Sequence, residues 1–135
     1  MAHYIATTDI TDEIAVPFLT DTAAIDAYLS RVDSEIVSAC KRVGVWPGSI
    51  PVDINGRTTC DELRWFGLAC FYALLFSDKM FAGSARDPHL DKYKLKVEFY
   101  TFDKKERARV LSSAVILGFS QAPESRLTSS FLIRG

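Results

Sequence analysis

Two histidines, three cysteines and a few adjacent carboxylates are the residues through which this chain would do chemistry. His3 stands in a segment expected to be extended, and His89 stands at a helix start between Asp87 and Asp91. A metal centre takes several ligands at short, regular spacings. Neither histidine has such a set around it, and His89 reads as a local, solvated imidazole. Cys40, Cys60 and Cys70 are odd in number, and Cys40 and Cys70 lie among apolar residues. Free buried thiols in a reducing compartment are therefore expected, with neither a disulfide framework nor a zinc site. The pairs Asp12–Glu13 and Asp61–Glu62 fall at expected helix starts, where the helix dipole favours negative charge without any acid–base role. Ser112 and Ser113 lie inside a helical pattern, with no sharp turn to expose a nucleophile. The glycines form neither a dinucleotide fingerprint nor a phosphate loop. These residue types predict no enzyme, no cofactor and no metal.

The remaining chemical signal is a basic run, Lys92, Lys94, Lys96, Lys104, Lys105, Arg107 and Arg109. On a helix these positions spread around the polar circumference, and Asp91, Glu98, Asp103 and Glu106 are interleaved with them. A surface that tracks phosphates is less diluted than this, and the net charge of -1 supplies no global attraction to nucleic acid. Phe99, Tyr100 and Phe102 are expected to serve packing. Acidic residues lead at the start of the chain, so one subunit's acidic face can meet a neighbour's basic one. Asp26, Asp33 and Glu35 are the acidic candidates for such a contact, and Lys104, Lys105, Arg107 and Arg109 the basic ones.

The elements that must position these groups are helical. Residues Met1 to Thr7 read as extended, and Thr8 or Asp9 caps a short helix that stops near Pro17. Ile25, Tyr28, Leu29, Val32, Ile36, Cys40 and Val43 repeat at three and four, which predicts an amphipathic helix capped by Gly44. Leu63 to Phe76 is apolar except for Arg64 and Gly67, so this helix must be enclosed by others. Thr59 and Glu62 match a capping box at its start. Gly67 costs roughly 1 kcal/mol relative to alanine there, which close approach by another helix would explain. Leu90, Tyr93, Val97, Tyr100, Ala108, Leu111 and Val115 mark a third helix, or two abutting ones, ended by Gly118. Gly83, Ser84 and Pro88 punctuate the loop before it. The apolar run is too short for the ~20 residues a bilayer span takes, and the first residues lack a signal-sequence pattern. A soluble, intracellular protein is expected.

Two apolar appendages complete the pattern. Residues 45–58 hold Trp46, Ile50, Val52 and Ile54 among prolines and glycines, with the alternation of a short strand or extended arm. The chain ends on Phe131, Leu132 and Ile133, with Leu127 before them, on a segment that docks on its own subunit or reaches to another.

In this order, the segments resemble the head–tail connector (adaptor, or head-completion) proteins of tailed bacteriophages. Tyr4 to Ile10 resembles the family's extended start running into a first small helix. Ile25 to Leu29 continuing through Asp33 to Ile36 is similar to its amphipathic helix. Ile50-Pro51-Val52 stands in a Pro-containing loop, Asp61 to Arg64 opens an Ala- and aromatic-rich helix, and Asp91-Lys92-Tyr93 begins a final helix, all as in the family. The central helix is richer in phenylalanine, and the loop longer, than in the simplest members. The resemblance implies an all-α fold: a small bundle of three main helices plus a short N-terminal helix, with an extended loop and an extended C-terminal arm. It implies a connector domain over residues 1–118 and an arm over 119–135. It further implies a structural virion protein at the neck, made in the host cytoplasm. Such a protein forms a ring, of twelve subunits in the family's common form, under the portal. DNA passes through its channel without sequence-specific binding. The arm residues Leu127, Phe131, Leu132 and Ile133 would dock on the portal protein. Trp46, Ile50, Val52 and Ile54 would face the next neck component or a neighbouring subunit. The alternative is a helical DNA-binding or packaging-associated regulatory module, with salt-dependent affinity carried by the basic run.

Overall fold

The structure, a computed structural model, describes residues 2–44, 46–82 and 90–111. The expectations for Gly83, Ser84, Pro88, His89, Ser112, Ser113, Val115 and Gly118, and for the arm at 119–135, lie outside them. The described residues form an all-α fold of three helices: α1 (Thr22–Arg42), α2 (Asp61–Ala82) and α3 (Leu90–Val110). α2 packs against both neighbours, more extensively against α3.

The amphipathic pattern of α1 buries Ile25, Leu29, Val32, Ile36, Ala39 and Cys40. Asp21 accepts the Ala24 N–H at 3.1 Å at the N-terminus. Gly44 closes the other end with φ +80, the left-handed conformation that favours glycine. α2 supplies the centre of the core with Leu63, Phe66, Ala69, Cys70, Phe71, Tyr72, Leu75 and Phe76, all buried. Each large apolar side chain so enclosed contributes about 1.5–3 kcal/mol. Enclosure is incomplete, because Trp65 remains half-exposed, with the Arg107 guanidinium over its ring. A Cβ at Gly67 would stand 3.0 Å from both Ile36 Cδ1 and Ile5 Cγ2, and 3.3 Å from Val32 Cγ1. The close approach expected at this glycine is therefore present, made by α1 together with the N-terminal segment.

Other expectations are corrected. The single short N-terminal helix is replaced by two 3-10 turns, Thr7–Asp9 and Val16–Phe18. Pro17 lies inside the second turn, where its missing N–H breaks no helical hydrogen bond. α2 starts one residue later than the Thr59–Glu62 box requires. Thr58, not Thr59, ties its start, accepting the Cys60 N–H at 3.2 Å and donating its hydroxyl to the Pro51 carbonyl at 3.0 Å. α3 is continuous through Asp103 and Lys104, which settles the choice between one helix and two for its described part. Of the two readings of the loop, a short strand or an extended arm, the strand is limited to one antiparallel bridge, Val52 to Thr58. Pro51 has no N–H to extend that ladder, and the loop also forms a 3-10 turn at Pro47–Ser49.

Candidate functional site

The polar chemistry of the described residues is concentrated where the N-terminal segment meets the helices. The His3 side chain, 6% exposed, places Nδ1 2.7 Å from Asp33 Oδ2 and Nε2 2.6 Å from Asp26 Oδ1. Two carboxylate acceptors call for two ring N–H donors, which only the imidazolium has. Burial opposes that charge, and the hydrogen bonds to Asp26 and Asp33 outweigh it, so the His3 pKa is raised. Asp33 also accepts the Tyr4 N–H at 2.9 Å. Farther along, Asp12 accepts from Lys96 at 2.7 Å and from the Tyr100 hydroxyl at 2.6 Å. Desolvation pushes its carboxyl up, but these donors hold it below its ordinary value. Tyr72 returns the favour to the backbone, its hydroxyl oxygen accepting the Thr11 and Asp12 N–H groups at 3.0 and 3.2 Å. The third tie is an ion pair between Asp9 and Arg57, which joins the first 3-10 turn to the loop.

These bonds fasten chain to chain. The cleft between the N-terminal segment, α1 and the loop, about 640 Å³, contains His3, Asp26 and Arg57, each already engaged by a partner. Among the described residues, no group of three or more His, Cys, Asp or Glu side chains is placed to hold a metal ion. Cys40 and Cys70 are buried and free, and Cys60 is half-buried and free. Burial pushes the Cys40 thiol up to about 11 and the Cys70 thiol up to about 12. A thiol so protonated is a poor nucleophile at neutral pH. No described helix is long and apolar enough to cross a membrane.

The loop residues separate into two kinds. Ile50 is 6% exposed and belongs to the core, contrary to the expectation that it faces a partner. Its side chain is spent on fixing the loop to the bundle. Trp46 and Val52 are half-exposed, and Ile54 is 99% exposed. Ile54 is held out by a tight turn. Asp53 Oδ1 accepts the Asn55 and Arg57 N–H groups at 2.8 and 3.1 Å, and Gly56 takes φ +87. The turn thus presents an isoleucine side chain outward.

The charge candidates are largely paired within the chain. Asp26 and Asp33 hold His3, and Glu35 meets Lys104 at 2.6 Å between α1 and α3. Arg107 bonds Asp103 at 2.8 Å and Arg109 bonds Glu106 at 2.6 Å within α3, while Lys105 is exposed. Partly exposed pairs of this kind contribute roughly 0–1 kcal/mol each, so a neighbouring molecule can exchange into them cheaply. Leu127, Phe131, Leu132 and Ile133 lie outside the described residues.

One surface was missed by reading a single stripe along α3. Tyr93 is buried, and Val97, Tyr100 and Ala108 pack on the core, as expected. Leu95, Phe99, Phe102 and Val110 stand on the opposite side and are 66%, 61%, 65% and 51% exposed. Of the three aromatics expected to pack, Tyr100 reaches the core, its ring 4.6 Å from that of Tyr72, and Phe99 meets the Tyr100 ring edge-on at 5.0 Å. The spacing of four and three from Leu95 through Phe99 to Phe102 was the available signal. Comparison with protein-family models, curated proteins and solved structures finds no match to this chain.

Proposed function

We propose that this chain is a structural assembly protein, a head–tail adaptor of a tailed bacteriophage. On this reading it forms a ring under the portal, extends the DNA channel and joins capsid to tail. The observation that supports it best is the outward placement of large apolar side chains on fastened elements: Ile54 and Val52 on the braced turn, and the outer face of α3. Large apolar side chains grouped on one exposed surface are a common feature of sites that other molecules cover. The ionisable groups, in contrast, are engaged in holding the chain together, which leaves assembly the better reading than catalysis. The turn at Ile54 would meet a neighbouring subunit or the next neck component, and the arm from Leu127 to Ile133 would dock on the portal. Glu35, Asp103 and Glu106 stand among Lys104, Arg107 and Arg109, and positive charge diluted in this way weakens the DNA-binding alternative.

The test is capture by the portal protein encoded near its gene. The full chain is expected to bind, and a variant ending at residue 125 is expected to keep its helical circular dichroism and lose binding. A full chain that ignores the portal would remove the adaptor reading. Salt-sensitive duplex DNA binding, abolished by charge reversal at Lys104, Lys105, Arg107 and Arg109, would put the regulatory module in its place.

A further inference from the structure

The outer face of α3 carries an apolar patch at Leu95, Phe99 and Phe102, with Val110 farther along beyond Glu106, and the same helix leads into the last residues of the sequence. We propose that in the free subunit, with no portal bound, this face is the seat of the chain's own C-terminal segment, Leu127–Ile133. The inference does not rest on the adaptor reading.

Leu95, Phe99, Phe102 and Val110 share one side of α3 because their spacings follow the helical repeat. The core takes the other side through Tyr93, Val97 and Tyr100. Leaving three large side chains about two-thirds exposed on a single face is unfavourable unless something covers them. Twenty-four residues follow Leu111, and the last apolar ones are Leu127, Phe131, Leu132 and Ile133. The lengths agree. Leu95 to Val110 spans ~22 Å at 1.5 Å per helical residue, and seven extended residues span ~20–23 Å. An extended segment turns alternate side chains to one side, which puts Leu127, Phe131 and Ile133 on the same side, with the small Ser129 between them.

Direction and charge agree as well. The chain leaves α3 beside Val110, so a segment that turns back runs antiparallel to the helix. Leu127 then lies near Val110, and Ile133 lies near Leu95. That register brings Arg134 beside the exposed carboxylates of Asp91 and Glu98. Residues 112–126 reach up to ~50 Å when extended, far more than the return to Val110 needs. A tether of this length gives the subunit's own seat an effective concentration of order millimolar. At low micromolar protein, its own segment therefore prevails over that of another copy.

Photo-crosslinking in the full chain, without any portal present, tests the seat. Phe131 is replaced by benzoylphenylalanine, the protein is irradiated at low micromolar concentration, and the linked peptides are mapped by mass spectrometry. Mixed light and heavy isotope preparations separate links within a chain from links between chains. The expected result is an intramolecular link to residues 95–110. The double variant Phe99→Asp, Phe102→Asp should lower its yield about tenfold or more while the helical circular dichroism is unchanged. Links to any other region, links formed only between chains, or no link at all would overturn the proposal. Portal capture is a separate readout, so the seat and the adaptor reading can each fail without the other.

Discussion

The N-terminal segment and α3 solve opposite problems. Residues 2–19 have almost no regular structure, yet Ile5, Ile10 and Ala15 are buried. They are fastened by charge-assisted bonds at His3, Asp9 and Asp12, which are roughly twice as strong as neutral ones. α3 is the regular element, a 21-residue helix whose interior backbone groups bond within it, and it leaves Leu95, Phe99 and Phe102 exposed. A segment without its own hydrogen-bond ladder must borrow partners and becomes rigid by doing so. A helix that needs none keeps a whole face available for another molecule or another segment. In this protein, polar chemistry therefore marks the parts that hold the subunit together, and the large exposed apolar side chains lie elsewhere, on the loop and on the outer side of α3.

Substitutions that act on the two sides of this contrast should differ in both size and kind. Gly67→Leu should have the largest effect, because side-chain atoms would enter space held by Ile36, Ile5 and Val32. A loss of about 3 kcal/mol or more is expected in denaturant unfolding. Gly67→Ala should stay within about 1 kcal/mol of the parent, since gained helix propensity offsets the crowding. Asp12→Ala comes next. It strands the Tyr100 hydroxyl and the Lys96 ammonium together, for about 2–3 kcal/mol, read as a lowered urea midpoint.

His3→Ala should cost about 1–2 kcal/mol and carries a pH signature. Because the folded pKa is raised above 6.5, the His3 contribution is complete below that value and fades as pH rises through the raised one. The parent's thermal midpoint should therefore fall more steeply than the variant's as the pH rises above 6.5. The paired substitution Phe99→Ser, Phe102→Ser should change folding stability least, within roughly 0.5 kcal/mol. Its effect should instead be on the seating of the C-terminal segment, read as loss of the intramolecular crosslink from position 131. If it unfolded the subunit, the placement of that face outside the core would be wrong.

Much of the architecture was legible in the sequence. The repeat from Ile25 to Val43 and the left-handed Gly44 specify α1 by local rules alone, and Gly67 announced a close neighbour. The N-terminal segment was less legible, because its order comes from partners at large sequence separation. Nothing near His3 in sequence announces Asp26 or Asp33, and nothing near Asp12 announces Tyr100. Ile50 and Ile54 share the alternation of one loop, and only the tertiary turn at Asp53 sends one inward and the other outward. The outer face of α3 was readable in principle. Its apolar residues sit opposite the core stripe, so a search for one amphipathic face overlooked the second.

The most direct test of an assembly role is the solution mass of the full chain, alone and mixed with the portal. The account predicts a ring, or a monomer that assembles only when the portal is added. A subunit that stays monomeric at every concentration and does not change with the portal would contradict it.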